Sequence, residues 1–478
     1  MRGKAAALAI LALPFALHAD DPVQSPAFGP APEAGPLTAE EVLFGDAYRS
    51  FLGEARTTGR MRAWLGKNLP AFRAVDASDD LGRQPPGTRL LFSNRDRTYL
   101  LVVTGARPMT DGFHLIGTHI DTPSFRVLGA ALSDGPGGAV LRATAYGGIK
   151  PYQWLHTPLR LVGEVRARGG RRVDVDIGPA QGFAFTIASL ATRAEPSEEG
   201  GGRRQNGAEA EVIVATVPAF GSEGGPRVTF LRAMQRAYGI TEADLEAAEM
   251  YLVPAMPPRD VGVDRAMVGG HGQDDRACSY AAIRAIGDMT AVPARTAIVF
   301  LTDREEIGSS GTVGAGSGYL LRALDTIARA TGNVEGDFQI RALLGRSRIL
   351  SSDVTAGVNP LFRQVHEPMN AAFVGRGPAI MKYTGHGGKF GASDASPEFI
   401  AYLRGLWRGA GIGVQATEIG RVDEGGGGTI AHVLAELGPE VLDLGVPLVS
   451  MHSPFELVHR RDLFLLHRAH AAFLTAPE

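Results

Sequence analysis

Four strand-length apolar runs in this chain each stop at a residue type that binds metal ions. Run 113–118 leads to His119, run 296–302 to Asp303 and then Glu305 and Glu306, run 348–352 to Asp353, and run 446–451 to His452. Short apolar runs alternating with amphipathic stretches read as an α/β fold. In open α/β sheets, ligands bind beyond the carboxyl ends of the strands. One polar residue closing a buried strand is ordinary; four such strand ends in one chain are a constraint. A fifth candidate is Asp274, which with Gln273 and Asp275 opens an Ala-rich helical stretch, 276–289. An acidic residue there is also an ordinary cap.

The length, 478 residues, predicts two or three domains. Apolar residues at 44% and charged residues at 21% exclude whole-chain disorder. The net charge of -3 provides no electrostatic reason for a nucleic-acid or anionic-membrane partner. One cysteine, Cys278, excludes an intrachain disulfide and a Cys-based zinc cluster. There is no G-x-S-x-G elbow, Walker loop or dinucleotide fingerprint, which argues against a serine hydrolase, an NTPase and a Rossmann dehydrogenase.

Residues 1–19 have the basic, apolar and small-residue order of a signal peptide. The expectation is an exported protein, periplasmic or secreted, with a cytoplasmic protein carrying an Ala-rich N-terminal helix as the other reading. No later run has transmembrane length, so no membrane association is expected after signal removal. Residues 20–36 are Pro-rich and predict a loose arm. Between 135 and 256 short alternating runs separated by Gly and Arg predict a smaller, mostly β domain. It is inserted between two parts of a mixed-sheet α/β catalytic domain, 37–134 and 257–478. Residues 195–209 predict an exposed loop.

His119, Asp274, Glu306, Asp353 and His452 are hard or borderline ligands suited to zinc, manganese or cobalt. Five ligands exceed a tetrahedral site that must also hold water, and they suit two metals sharing a bridging carboxylate. Glu305 is then a spare carboxylate whose side chain diverges from that of Glu306, placed to act as general base. Asp121, two residues after His119, can accept the second imidazole N–H or fix the loop.

Six segments carry a family resemblance: 117–123 (GTHIDTP), 273–276 (QDDR), 303–309 (DREEIGS), Ser352-Asp353, 423–430 (DEGGGGTI) and 451–453 (MHS). In this order and spacing the chain resembles the aspartyl aminopeptidase / aminopeptidase I family of zinc metallopeptidases, metallopeptidase family 18. Segment 382–394 is most similar to a bacterial branch. The resemblance implies a dinuclear zinc aminopeptidase acting on peptides. One metal would take His119, Asp274 and Asp353, the other Asp274, Glu306 and His452, with Asp274 bridging and Glu305 as base. It also implies a dimerisation role for the inserted domain and a homo-oligomer, dimer or dodecamer. A family histidine from a Trp-His-Thr context reaches a neighbour's active site; here the corresponding stretch is Trp154-Leu-His-Thr157, which points to His156.

The chain departs from the pattern in two places. Many aspartyl aminopeptidases have Asp-Asn where Asp274-Asp275 stands, and their Asn-Gln-Arg-Tyr run is replaced by a Tyr-Thr-Gly segment after Lys382. Lys382 and Lys389 are two of only five lysines. They are candidates for substrate binding with an acidic preference, or solvated loop charges. Two other functions stay open: a metallohydrolase acting on non-peptide amides with the same metal cage, and a catalytically silent scaffold.

Overall fold

The computed structural model describes residues 27–28, 35–188, 210–221, 223–332, 337–367, 369–387, 390–421 and 425–477. Its centre is a ten-stranded mixed sheet. From edge to edge the strands are Ala27–Phe28, Val414–Ala416, Ala379–Met381, Glu440–Gly445, Arg348–Ser351, Phe113–His119, Thr296–Thr302, Thr98–Val103, Arg89–Asn94 and Arg73–Val75. The four strands from Glu440–Gly445 to Thr296–Thr302 run parallel. Thr302 lies beside His119, and Ser351 beside Gly117. Three carboxyl ends therefore open on one place.

Every residue of Phe113–His119 and Thr296–Thr302 is buried, as expected for strands covered on both faces. The period-two alternation of side chains divides them between two cores. Ala297, Val299 and Leu301 pack with helices Ala39–Glu54, Gln273–Gly287 and Arg460–Leu474. Ile298 and Phe300 pack with helices Tyr319–Gly332 and Asp337–Leu344 on the opposite face. The mixed α/β class is the expected one.

A second, six-stranded sheet is antiparallel throughout, in the order Ala210–Ala215, Gly138–Tyr146, Ser124–Gly135, Ala248–Pro254, Leu159–Ala167, Arg171–Ile177. It has its own core, to which Phe230 and Met234 come from helix Pro226–Tyr238. This sheet takes up the chain at Ser124, ahead of the expected change at 135. The register shift between Val127 and Leu132 interrupts the alternation that would have marked an earlier start.

A third sheet of five strands corrects one expectation. Run 446–451 does not extend the central sheet. Its strand Pro447–Val449 lies between Thr355–Ala356 and Glu456–His459 in a small separate sheet. A short apolar run carries no mark of which sheet it joins. A second correction concerns the arm at 20–36: Ala27 and Phe28 pair antiparallel with Gln415 and Val414. The expected signal peptide and the loop at 195–209 lie outside the described residues. Among the described residues, no helix is long and apolar enough to cross a membrane.

Candidate metal centre

His119 ends its central strand and is buried. Asp353 lies just past strand Arg348–Ser351. Glu305 and Glu306 stand on the single helical turn Glu305–Ile307 that follows strand Thr296–Thr302. Asp274 lies in the first turn of helix Gln273–Gly287. His452 comes from a turn after the small-sheet strand, with φ of 64° at His452 and 61° at Ser450.

These elements bring six side chains to one point. Asp274 Oδ1 is 3.1 Å from His119 Nε2, and Asp274 Oδ2 is 3.0 Å from His452 Nε2. His119 Nε2 is also 3.6 Å from Asp353 Oδ1 and 4.0 Å from Glu305 Oε2, while His452 Nε2 is 3.8 Å from Glu306 Oε2. Ligand atoms of His119, Asp274 and Glu306 lie within 4.8 Å of one another, as do those of His119, Asp275 and Asp353.

Asp121 holds the base of this cluster. Its carboxylate accepts the backbone N–H of Glu305 at 3.1 Å and of Glu306 at 3.2 Å, and the Tyr146 hydroxyl at 2.9 Å. Its backbone carbonyl lies 3.0 Å from His119 Nδ1. Asp121 Oδ1 also lies 3.3 Å from His119 Nδ1, so the side chain both fixes the loop and, with the carbonyl, orients the imidazole.

Two participants carried no usable signal in the sequence, and a third, Asp275, was marked only as a departure from the family pattern. Glu456 accepts backbone N–H groups from Gln273 at 2.7 Å and His452 at 2.8 Å. It thereby caps a helix whose N-cap is Gly272 and pins the His452 turn. Asp275 reaches the His119–Asp353 side. The Gly148 carbonyl, on the second sheet's side, lies 3.1 Å from His452 Nδ1.

Burial pushes the Glu305 carboxyl up to about 8, and the Asp353, Asp274 and Asp121 charges push the same way against His119. Burial likewise raises Glu306, Asp275 and Asp353. Burial would lower the histidines, but the surrounding carboxylates win: His119 is held well above its ordinary value and His452 at about 10. Asp274 goes the other way, because its two imidazole partners outweigh its burial. Glu306 Oε1 and Asp275 Oδ1 are buried with no hydrogen-bond partner. Crowded buried carboxylates with orphaned oxygens around two imidazoles fit divalent cations of the zinc, manganese or cobalt kind. A partly open cavity of about 40 Å³ lies beside Asp121, lined by Arg97, Tyr146, Glu249, Tyr251 and Asp303. It has room for water, not for a peptide.

The remaining sequence candidates stand apart. His156 is exposed with φ of 62°, its backbone N–H bonded to the Ile187 carbonyl, and no described hydrogen bond or ion pair joins its side chain to the cluster. Lys382 is exposed, its Nζ 5.1 Å from the centre of the Tyr383 ring. Lys389, Asp423 and Glu424 lie outside the described residues.

A family model described as aminopeptidase I zinc metalloprotease (M18) matches residues 71–474. The chain belongs to the M18 family. A probable M18 family aminopeptidase 1 from Borrelia garinii is 34% identical over 436 residues, covering 90% of this chain and 95% of the relative. The crystal structure of an M18-family aminopeptidase from Thermotoga maritima superposes with a TM-score of 0.86 at 33% identity, covering 92% of this chain and 97% of that one. The fold is also that of the S. cerevisiae mApe1 dodecamer, at 21% identity and a TM-score of 0.74, covering 92% and 98%. Like its M18 relatives, the chain is a metallo-aminopeptidase.

The metal-free protein should lose stability as pH rises. Glu305, raised to about 8 from an ordinary 4.5, and His452, raised to about 10 from 6.5, both bind protons more tightly folded than unfolded. Their stabilisation is complete below the unfolded values and is lost through the folded ones. Metal binding needs neutral imidazoles and ionised carboxylates, so it should release protons near neutrality. Melting of chelator-stripped protein between pH 5 and 9, with calorimetric zinc titration in two buffers of different ionisation enthalpy, checks both. Stability rising across that range, or zinc uptake without proton release, would contradict the assigned electrostatics.

Proposed function

We propose that this chain is a dinuclear zinc aminopeptidase in which Asp274 is shared between two ions. His119 and Asp353 complete one half and Glu306 and His452 the other, with manganese or cobalt as substitutes. The observation that carries this reading is the Asp274 carboxylate with one imidazole at each oxygen, 3.1 and 3.0 Å away. When bound, the ions supply Lewis-acid polarisation of the scissile carbonyl and lower the pKa of water.

The chain's own residues do the rest. Glu305 takes a proton from the attacking water and delivers it to the leaving amine. Its backbone N–H, bonded to Asp121, keeps the carboxylate turned toward His119 while Glu306 faces His452.

Supporting the remaining parts of the reading are sequence features. Lys382 and Lys389 would favour an acidic N-terminal side chain. The 1–19 leader would direct export to the periplasm or beyond. The dodecameric relative favours a homo-oligomer, in which exposed His156 would serve a neighbouring subunit's site by hydrogen-bonding the developing oxyanion.

Glu305→Gln should retain its metal and lose roughly 10²–10⁴ of activity, the usual span of general acid–base catalysis. Glu306→Gln should lose metal from one half. Full activity in the first variant would refute the mechanism, and the opposite pattern of metal content would swap the two roles. On specificity, Lys382→Met should lower the Asp/Leu ratio of kcat/KM on N-terminal residues; an unchanged ratio removes that lysine from the pocket. Protein isolated from the native cell should begin near Asp20; an intact Met1 terminus on cytosolic material would end the export reading.

A further inference from the structure

One tripeptide of the second sheet touches three parts of the metal centre. Tyr146 closes strand Gly138–Tyr146, and its buried hydroxyl donates to Asp121 Oδ2 at 2.9 Å. That same oxygen accepts the Glu306 N–H. Gly147 follows with φ of 73°, and a Cβ there would stand 2.7 Å from Glu306 Oε2. The Gly148 carbonyl lies 3.1 Å from His452 Nδ1. Accepting from Nδ1–H leaves His452 Nε2 free to face Asp274 and Glu306.

We infer that Tyr146, Gly147 and Gly148 are positioning residues for the Glu306–His452 half of the site, so that the second sheet sets the geometry of the reaction centre. This rests on the two-ion reading above. Tyr146 is the adjustable member. Its ring is fixed edge-on against Tyr251, centroids 5.3 Å apart and planes at 78°. Its hydroxyl therefore presents one fixed donor to a carboxylate already holding two backbone N–H groups. Without that donor, Asp121 Oδ2 is held by the Glu306 N–H alone, while Oδ1 keeps the Glu305 N–H and its place beside His119 Nδ1, so the loosened end of the turn is the one that bears Glu306. Gly147 has no side chain because the Glu306 carboxylate fills the space a Cβ would need, and its backbone lies in the left-handed region.

The test is Tyr146→Phe, which keeps the buried ring and removes the donor. Tyr251→Phe is the comparison: it removes a hydroxyl bonded to Glu249 at 2.7 Å in the same cavity wall without touching Asp121. Zinc affinity is measured on stripped protein by competition with a chromogenic chelator, and kcat and KM on an aminoacyl substrate. Tyr146→Phe should bind one of its two zinc ions ~10-fold less tightly and lose ~10–100-fold in kcat, the usual cost of removing a partner of a metal ligand's support. KM should stay within about 2-fold, since the lost interaction is not with substrate. Tyr251→Phe should match wild type in both readouts. Wild-type zinc affinity and kcat in Tyr146→Phe would overturn the proposal, as would an equal loss in Tyr251→Phe. If the wild-type protein removes no N-terminal residue from any peptide, the proposed function fails, and the zinc competition alone still decides the positioning claim.

Discussion

Asp274 is buried, and each of its oxygens faces an imidazole from a different part of the fold. His119 arrives at the end of a central strand, His452 on a turn from the small sheet, and Asp274 at the first turn of the helix between them. Burying one carboxylate costs several kcal/mol unless close partners offset it. The meeting of these three pieces is thus an electrostatic requirement of the folded state as well as the site of chemistry. Glu456 makes the meeting rigid, because one carboxylate takes backbone N–H groups from the helix start and from the His452 turn together.

Around this junction the metal-free site balances its charges only by holding protons. Glu305, Glu306, Asp275 and Asp353 are all pushed toward protonation by burial, and two of their oxygens have no hydrogen-bond partner. The same crowding that destabilises the empty site suits it to divalent cations. Asp121 meets the opposite fate. It accepts two backbone N–H groups and a tyrosine hydroxyl, and so serves as an anchor.

The central strands and the residues at their ends were legible because buried strands leave dense apolar runs and each run stops at the site. His119, Glu306 and Asp353 were found that way. His452 was found for a partly wrong reason: its apolar run belongs to another sheet, and only a left-handed turn brings the imidazole back. Asp274 looked like a helix cap, yet the capping is done by Glu456, 182 residues further along. Tyr146, Gly148 and Glu456 were invisible because their roles lie in contacts between distant segments. No local spacing records which carboxylate or carbonyl a folded chain will bring against a histidine. The pairing of Ala27 and Phe28 with the sheet edge was hidden for the same reason, in a stretch whose prolines read as loose chain.

Anomalous diffraction at the zinc edge from zinc-loaded crystals tests the central claim most directly. Two peaks ~3.5–4 Å apart, one on each side of the Asp274 carboxylate, are the predicted result. A single peak, or two peaks of which either lies out of reach of Asp274, would contradict a shared-carboxylate centre.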